Sequence, residues 1–141
     1  MAKLKADDAA AGDCFGKSVE IEDGVVAIAA CAPTNWPETS SGEAVYVFRA
    51  SDDGAMYGQV AKLTAADGVA GDRFGMSVAM DGGTVVVGAW QDEDAGNSSG
   101  SVYVFSPQPE PQPTSDALGS DSATRAGPLL ALLLVAATTV L

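Results

Sequence analysis

The chain has 141 residues, room for one modest domain, and sets 7 basic against 19 acidic side chains, a formal charge of −12. That leaves no basic footprint for a nucleic-acid backbone. With no His and only two Cys, His-dependent nucleophilic catalysis, His-ligated metals and four-cysteine zinc sites are excluded.

The N-terminal residues Met1-Ala2-Lys3-Leu4-Lys5-Ala6-Asp7-Asp8 contain no apolar h-region and do not read as a secretory signal. They belong instead to a repeat. Phe15-Gly16-Lys17-Ser18-Val19 returns as Phe74-Gly75-Met76-Ser77-Val78, an offset of 59. The same offset relates Ala2-Lys3-Leu4 to Ala61-Lys62-Leu63, Gly12-Asp13 to Gly71-Asp72, and Gly24 to Gly83. Val45-Tyr46-Val47-Phe48 returns as Val102-Tyr103-Val104-Phe105 at an offset of 57, so one intervening loop is two residues shorter. One supersecondary unit has been copied twice.

Each copy reads as short strands. In the second, residues 74–80 place Phe74, Met76, Val78 and Met80 on one face with Gly75, Ser77 and Ala79 on the other, the period of a strand. Asp81-Gly82-Gly83-Thr84 is a two-residue hairpin turn, because Gly tolerates positive φ. Residues 84–90 are β-branched and apolar and predict a buried strand. A polar loop covers residues 91–100, and residues 101–105 form the third strand. Residues 56–63 give the first copy a fourth strand. The second copy meets prolines before any fourth strand, and residues 2–5 match a fourth strand instead. The units therefore run in permuted register: fourth strand, first, second, third.

Phe-Gly-x-Ser-Val, then Val85-Val86-Val87-Gly88-Ala89, then Gly100-Ser101-Val102-Tyr103-Val104-Phe105 resembles the FG-GAP repeat of integrin-α-type β-propellers. The resemblance implies an all-β fold of two four-stranded antiparallel β-propeller blades spanning residues 1–106, with repeats at about 2–50 and 56–106. The Gly-Ala-Pro element departs from the pattern: it reads Gly88-Ala89-Trp90 in one copy and Ala29-Ala30-Cys31-Ala32-Pro33 in the other. In such blades Phe15 and Phe74 would fill the gap between neighbours, and Gly16 and Gly75 would permit close backbone approach. Two blades do not close a ring and leave bare sheet edges. The expectation is a fragment of a longer gene product, with assembly with other copies as the alternative; further blades or self-association follow either way.

The family's Asp-rich calcium loop between the first two strands does not carry over. In this chain it is only Glu22-Asp23-Gly24 and Asp81-Gly82-Gly83, too short to wrap an ion. Asp92, Glu93 and Asp94, with Asn97 nearby, leave weak calcium binding open, although a solvated acidic loop is the preferred reading. No other metal site and no cofactor is expected.

Strand alternation brings the four-to-one and two-to-three loops to one end. Asp7, Asp8, Asp13, Trp36, Glu38, Asp67, Asp72, Trp90, Asp92, Glu93 and Asp94 lie on those loops. An acidic end with two partly exposed Trp residues suits a cationic or sugar partner, although Trp36 and Trp90 also suit a capping role. Cys14 and Cys31 lie across a predicted hairpin, where a disulfide or two buried thiols both fit. Asn97-Ser98-Ser99 is an N-glycosylation sequon.

Residues 107–127 change character. Pro107, Pro109, Pro111 and Pro113 bias the chain to an extended stalk, and the small polar residues that follow read as disordered. Residues 128–141 are an uncharged apolar tail read as a helix. About 20 residues are needed to span a bilayer, more than this run supplies. A polar spacer and small residues ahead of a short apolar tail fit a GPI signal, with Ser115 or Ser120 as attachment site; a short single-pass anchor and a soluble-domain helix are the alternatives.

No phosphate-binding Gly-rich loop is present. The expected function is a non-catalytic cell-surface module for binding or adhesion, its partner an extracellular protein or glycan. The rivals are an accessory propeller of a larger surface hydrolase truncated at its N-terminus and a purely structural surface protein.

Overall fold

A computed structural model describes residues 1–31 and 43–107. The described chain is all-β: β1 (Val19–Glu22), β2 (Val25–Ala30), β3 (Ala44–Ala50), β4 (Tyr57–Leu63), β5 (Phe74–Asp81), β6 (Thr84–Ala89) and β7 (Ser101–Phe105). They form two antiparallel meanders, β1-β2-β3-β4 and β5-β6-β7. Two equal blades were expected, but among the described residues the second sheet holds three strands. The prolines that follow β7 lack the N–H groups a fourth strand would need. The predicted C-terminal helix and stalk lie outside the described residues.

Both hairpins turn as the repeat requires. Asp23 and Gly24 have φ of 44° and 76°, and Gly82 and Gly83 have 54° and 80°, so both central residues of each turn are left-handed. That is the backbone of a two-residue turn matched to strand twist.

The two sheets pack face to face. Ala27 and Ala29 of β2, Val45 and Val47 of β3 and Leu63 of β4 meet Phe74, Val85, Val87, Ala89, Tyr103 and Phe105 of the second sheet. Each residue is on the register-dictated face, since Ala27 pairs with Val47 and Val87 with Tyr103. The small side chains of β2 let the aromatic trio approach. Phe74 sits edge-on to Tyr103 and Phe105, with centroids at 5.4 and 6.1 Å. The first repeat makes the same trio, Phe15 on Tyr46 and Phe48 at 5.7 and 6.1 Å. There only Leu4 and Ala6 of the N-terminal segment lie over it.

Polar groups fasten the same seam. Ser18 Oγ donates to the Gly75 carbonyl at 2.7 Å. Glu22 accepts from the Gly82 and Gly83 amides at 3.1 and 3.2 Å, and Glu43 accepts from the Phe74 amide at 2.9 Å. A Cβ on Gly75 would lie 3.0 Å from that of Ala29 at a φ of 86°, so this glycine serves both the close approach and the backbone. Gly16 has the same conformation but open space around it.

Three expectations need correction. The alternation Phe74, Met76, Val78, Met80 breaks at a bulge between Phe74 and Ser77, which turns Met76 to solvent. The strand predicted at residues 84–90 is buried on one face only, because no sheet covers its other face. Residues 2–5 are not a strand; the segment lies over a sheet face instead, with Leu4 against the Phe15, Tyr46 and Phe48 cluster. Phe74→Ala is expected to cost about 3–5 kcal/mol in urea unfolding. Phe15→Ala, on the open face, should cost about half as much; equal losses would contradict the burial difference.

Candidate functional site

The four-to-one and two-to-three loops of the second repeat meet at one end of the sheets. They enclose a depression of about 380 Å³ lined by Val69, Asp72, Gln91, Asp92, Glu93 and Asp94, among others. Arg73 Nε donates to Gln91 Oε1 at 2.8 Å, and the Gln91 amide donates to the Asp72 carbonyl at 3.1 Å. These two bonds tie one loop to the other.

The acidic residues have different tasks. Asp72 accepts from the Val69 amide at 2.7 Å, as Asp13 accepts from Ala10 at 2.6 Å, so both shape their own loops. Asp92 was expected to be a solvated loop residue, but it is 2 % exposed. It accepts from the Asp94 amide at 2.9 Å and from the Tyr103 hydroxyl at 2.8 Å. Tyr103 also faces Asp67 Oδ1 at 3.0 Å. One hydroxyl hydrogen thus serves two carboxylates. Burial, with Asp92 and Asp67 alongside, raises the Tyr103 phenol far above its ordinary value. The Asp94 amide chiefly holds the Asp92 carboxyl below its usual range, and the Asp92 charge pushes exposed Asp94 upward.

The first repeat resolves the same geometry differently. Asp8, the equivalent of Asp67, pairs with Lys62 of β4. The Lys62 ammonium lies 5.3 Å from the centre of the Tyr46 ring, Tyr46 being the equivalent of Tyr103. A cation therefore stands beside the first tyrosine, on the strand next to it, whereas two carboxylates flank the second. Sequence reading missed this tyrosine hub; its signal is the recurrence of Tyr46 with Asp8 and of Tyr103 with Asp67.

Trp90 is 56 % exposed and directly precedes Gln91 of the depression's lining. Trp36 and Glu38 lie outside the described residues, as do Ser115 and Ser120. Asn97 is exposed in a turn. Cys14 and Cys31 are free thiols, Cys14 exposed and Cys31 partly covered. Burial and the neighbouring Cys14 thiol raise Cys31. Among the described residues no group of three or more Cys, Asp or Glu is arranged to hold a metal ion, and no helix is long and apolar enough to cross a membrane.

The two sheets and their matching turns define a tandem-repeat, all-β protein. The FG-GAP repeat profile matches residues 1–48 and 57–105, well over half of the chain, and the protein belongs to the FG-GAP repeat family. Comparison with curated proteins and with solved structures gave no match.

Tyr103→Phe removes the hydroxyl shared by two carboxylates and should cost about 1–3 kcal/mol at neutral pH. Asp92 has a lowered folded-state value, so its stabilisation is present above about pH 3.8 and is lost as pH falls below it. Urea midpoints should therefore show the mutational cost shrinking below that pH; a cost independent of pH would sever Tyr103 from Asp92. Thiol titration of the native protein should count two free thiols, with Cys14 reacting first. Thiols that appear only after reduction would establish a disulfide instead.

Proposed function

We propose that this protein is a non-catalytic, extracellular cell-surface module for binding or adhesion, built on FG-GAP β-propeller blades and tethered by its C-terminal tail. The observation that carries the reading is the acidic depression between two loops, with exposed Trp90 next in the chain to its lining residue Gln91. An indole face next to carboxylates suits a cationic protein segment or a sugar. The family supports the β-propeller setting, and loops on a rigid sheet are where recognition residues concentrate. The tail that follows the proline stalk supports the tether, with Ser115 or Ser120 as the lipid attachment point. Neither sheet has a partner on its outer face among the described residues, so further blades or other copies are proposed to cover both. Recognition through Trp90 and carboxylates needs no cofactor, and the short strand-connecting turns give calcium no part in it.

The test is binding of full-length protein to arrays of glycans and extracellular proteins. Trp90→Ala should weaken any hit about tenfold or more, the scale of a lost interface anchor, with the urea midpoint unchanged. Chelation of divalent ions should have no effect. Binding indifferent to Trp90 and Asp94 substitutions would remove the loop end from the reading. Release of the protein from cells by a phosphatidylinositol-specific lipase tests the anchor, and retention would count against a GPI link.

A further inference from the structure

Equivalent positions in the two repeats differ in what covers them. Val78 and Met80 of β5 pack against the first sheet. Their counterparts in β1, Val19 and Ile21, are 55 % and 60 % exposed. The outer face of the second sheet shows the converse. Val102, the counterpart of fully buried Val45, is 59 % exposed. The outer face of the first sheet, covered at Tyr46 and Phe48 by Leu4, Ala6 and Phe15 but bare at Val19 and Ile21, and the outer face of the second are thus the counterparts of the two halves of the seam already inside the molecule.

The strand edges repeat the pattern. In the first sheet β4 pairs with β3 through Val45–Leu63, Tyr46–Lys62 and Val47–Ala61. In the second, β7 has no neighbour beyond it among the described residues. The N-terminal Ala2-Lys3-Leu4 carries the residues of Ala61-Lys62-Leu63. Leu4 lies over the Phe15–Tyr46–Phe48 face just as Leu63 lies in the core with Phe74, Tyr103 and Phe105. The N-terminal segment is therefore held where the last strand of a preceding sheet belongs, with its own edge unpaired.

Charge selects the occupant. Lys62 neutralises Asp8 over Tyr46. At the matching place Tyr103 is flanked by Asp67 and Asp92, and the residue equivalent to Lys62 is Lys3.

We propose that residues 2–4 of a second copy of this chain add as an antiparallel fourth strand along β7. Leu4 then pairs with Val102, Lys3 with Tyr103 and Ala2 with Val104, and the Lys3 ammonium lies over the Tyr103 ring against Asp67. Main-chain hydrogen bonds supply affinity, and the lysine supplies register. The seam that forms repeats the internal one: Ser77 takes the role of Ser18 toward the partner's Gly16, and Asp81 that of Glu22 toward the partner's hairpin. The contact is heterologous, so it propagates into a ring or an open array. The proposal rests on the reading above that equivalent sheets cover the open faces.

The test uses the full chain in mild detergent at about 0.15 M salt, where charges farther apart than about 8 Å are screened, with Cys14 and Cys31 replaced by Ser. Mixed under oxidation, Leu4→Cys and Val102→Cys should give a covalent heterodimer about tenfold faster than the off-register pair Val60→Cys and Val102→Cys, because only the former sit within disulfide reach. Lys3→Glu should weaken association about tenfold and Lys3→Arg should not; Lys3 is exposed, so folding monitored by circular dichroism should be unchanged. In sedimentation, association without the Leu4–Val102 cross-link would overturn strand addition and leave sheet stacking standing, whereas a monomer throughout would overturn both. A cross-link that closes within one chain in the double variant would make the occupant the chain's own segment and overturn the second copy.

Discussion

The structure depends on the burial of two flat apolar faces against each other. A three- or four-stranded meander of this composition has one broad face of Val, Ala and aromatic side chains that water does not tolerate. Among the described residues neither sheet has a helix of its own to cover it. Val45, Val47, Val85 and Val87 are the largest side chains completely removed from solvent, and all four lie in the seam. At about 1.5–3 kcal/mol for each such side chain, they rival the net stability of a small domain. The polar bonds at the margin, from Ser18, Glu22 and Glu43, contribute less energy but set the relative position of the sheets. They bind backbone groups of β5 and its hairpin that would otherwise lose water without gaining a partner.

Because the unit is repeated, the chain contains its own control. Phe15 and Phe74 have the same neighbours in their own sheets at nearly the same distances, yet Phe74 is buried and Phe15 is not. The difference is the contribution of the adjoining sheet, separated from that of the local trio. The same holds for the tyrosine hubs. Tyr46 and Tyr103 occupy one position in the unit and share one aspartate. Beside Tyr46 a lysine of the next strand balances that aspartate, whereas Tyr103 has a second, buried carboxylate from the loop after β6 and no described strand beyond β7.

Much of this architecture was legible in the residues. Asp23-Gly24 and Gly82-Gly83 announce two-residue turns, and β4, β6 and β7 fall within a residue of where alternation and β-branching placed them. Phe74 reads as an inter-sheet residue because its copy, Phe15, precedes the same Gly. What could not be read depends on three-dimensional neighbours. The bulge at Gly75 follows from the approach of Ala29, a contact between sheets that no local pattern encodes. Asp92 sits in a run of acidic residues whose spacing suggests solvent, and only the position of Tyr103 on the adjacent strand draws it inward. Residues 2–5 carry a strand pattern without being a strand, because strand structure requires an edge to pair with.

The two repeats diverge where the seam makes no demand. From β5 through β7 the units match closely, and the hairpin end is clamped by Glu22. The opposite end holds the connection between second and third strands, the place where the repeat offset falls from 59 to 57. Its backbone is tied by Asp92 and Gly100 at 2.9 Å and by the Arg73–Gln91 bond, contacts internal to the loops. A change in loop length there is compatible with the same buried faces, whereas Asp92 and Glu43 reach the seam through the Tyr103 hydroxyl and the Phe74 amide. The hairpin end is held by the seam, and the loop end by bonds within and between its own loops. The sheets conserve their shape through a seam that tolerates little, whereas the loop end carries Trp90, Glu93 and Asp94 in one repeat and Trp36 and Glu38 in the other.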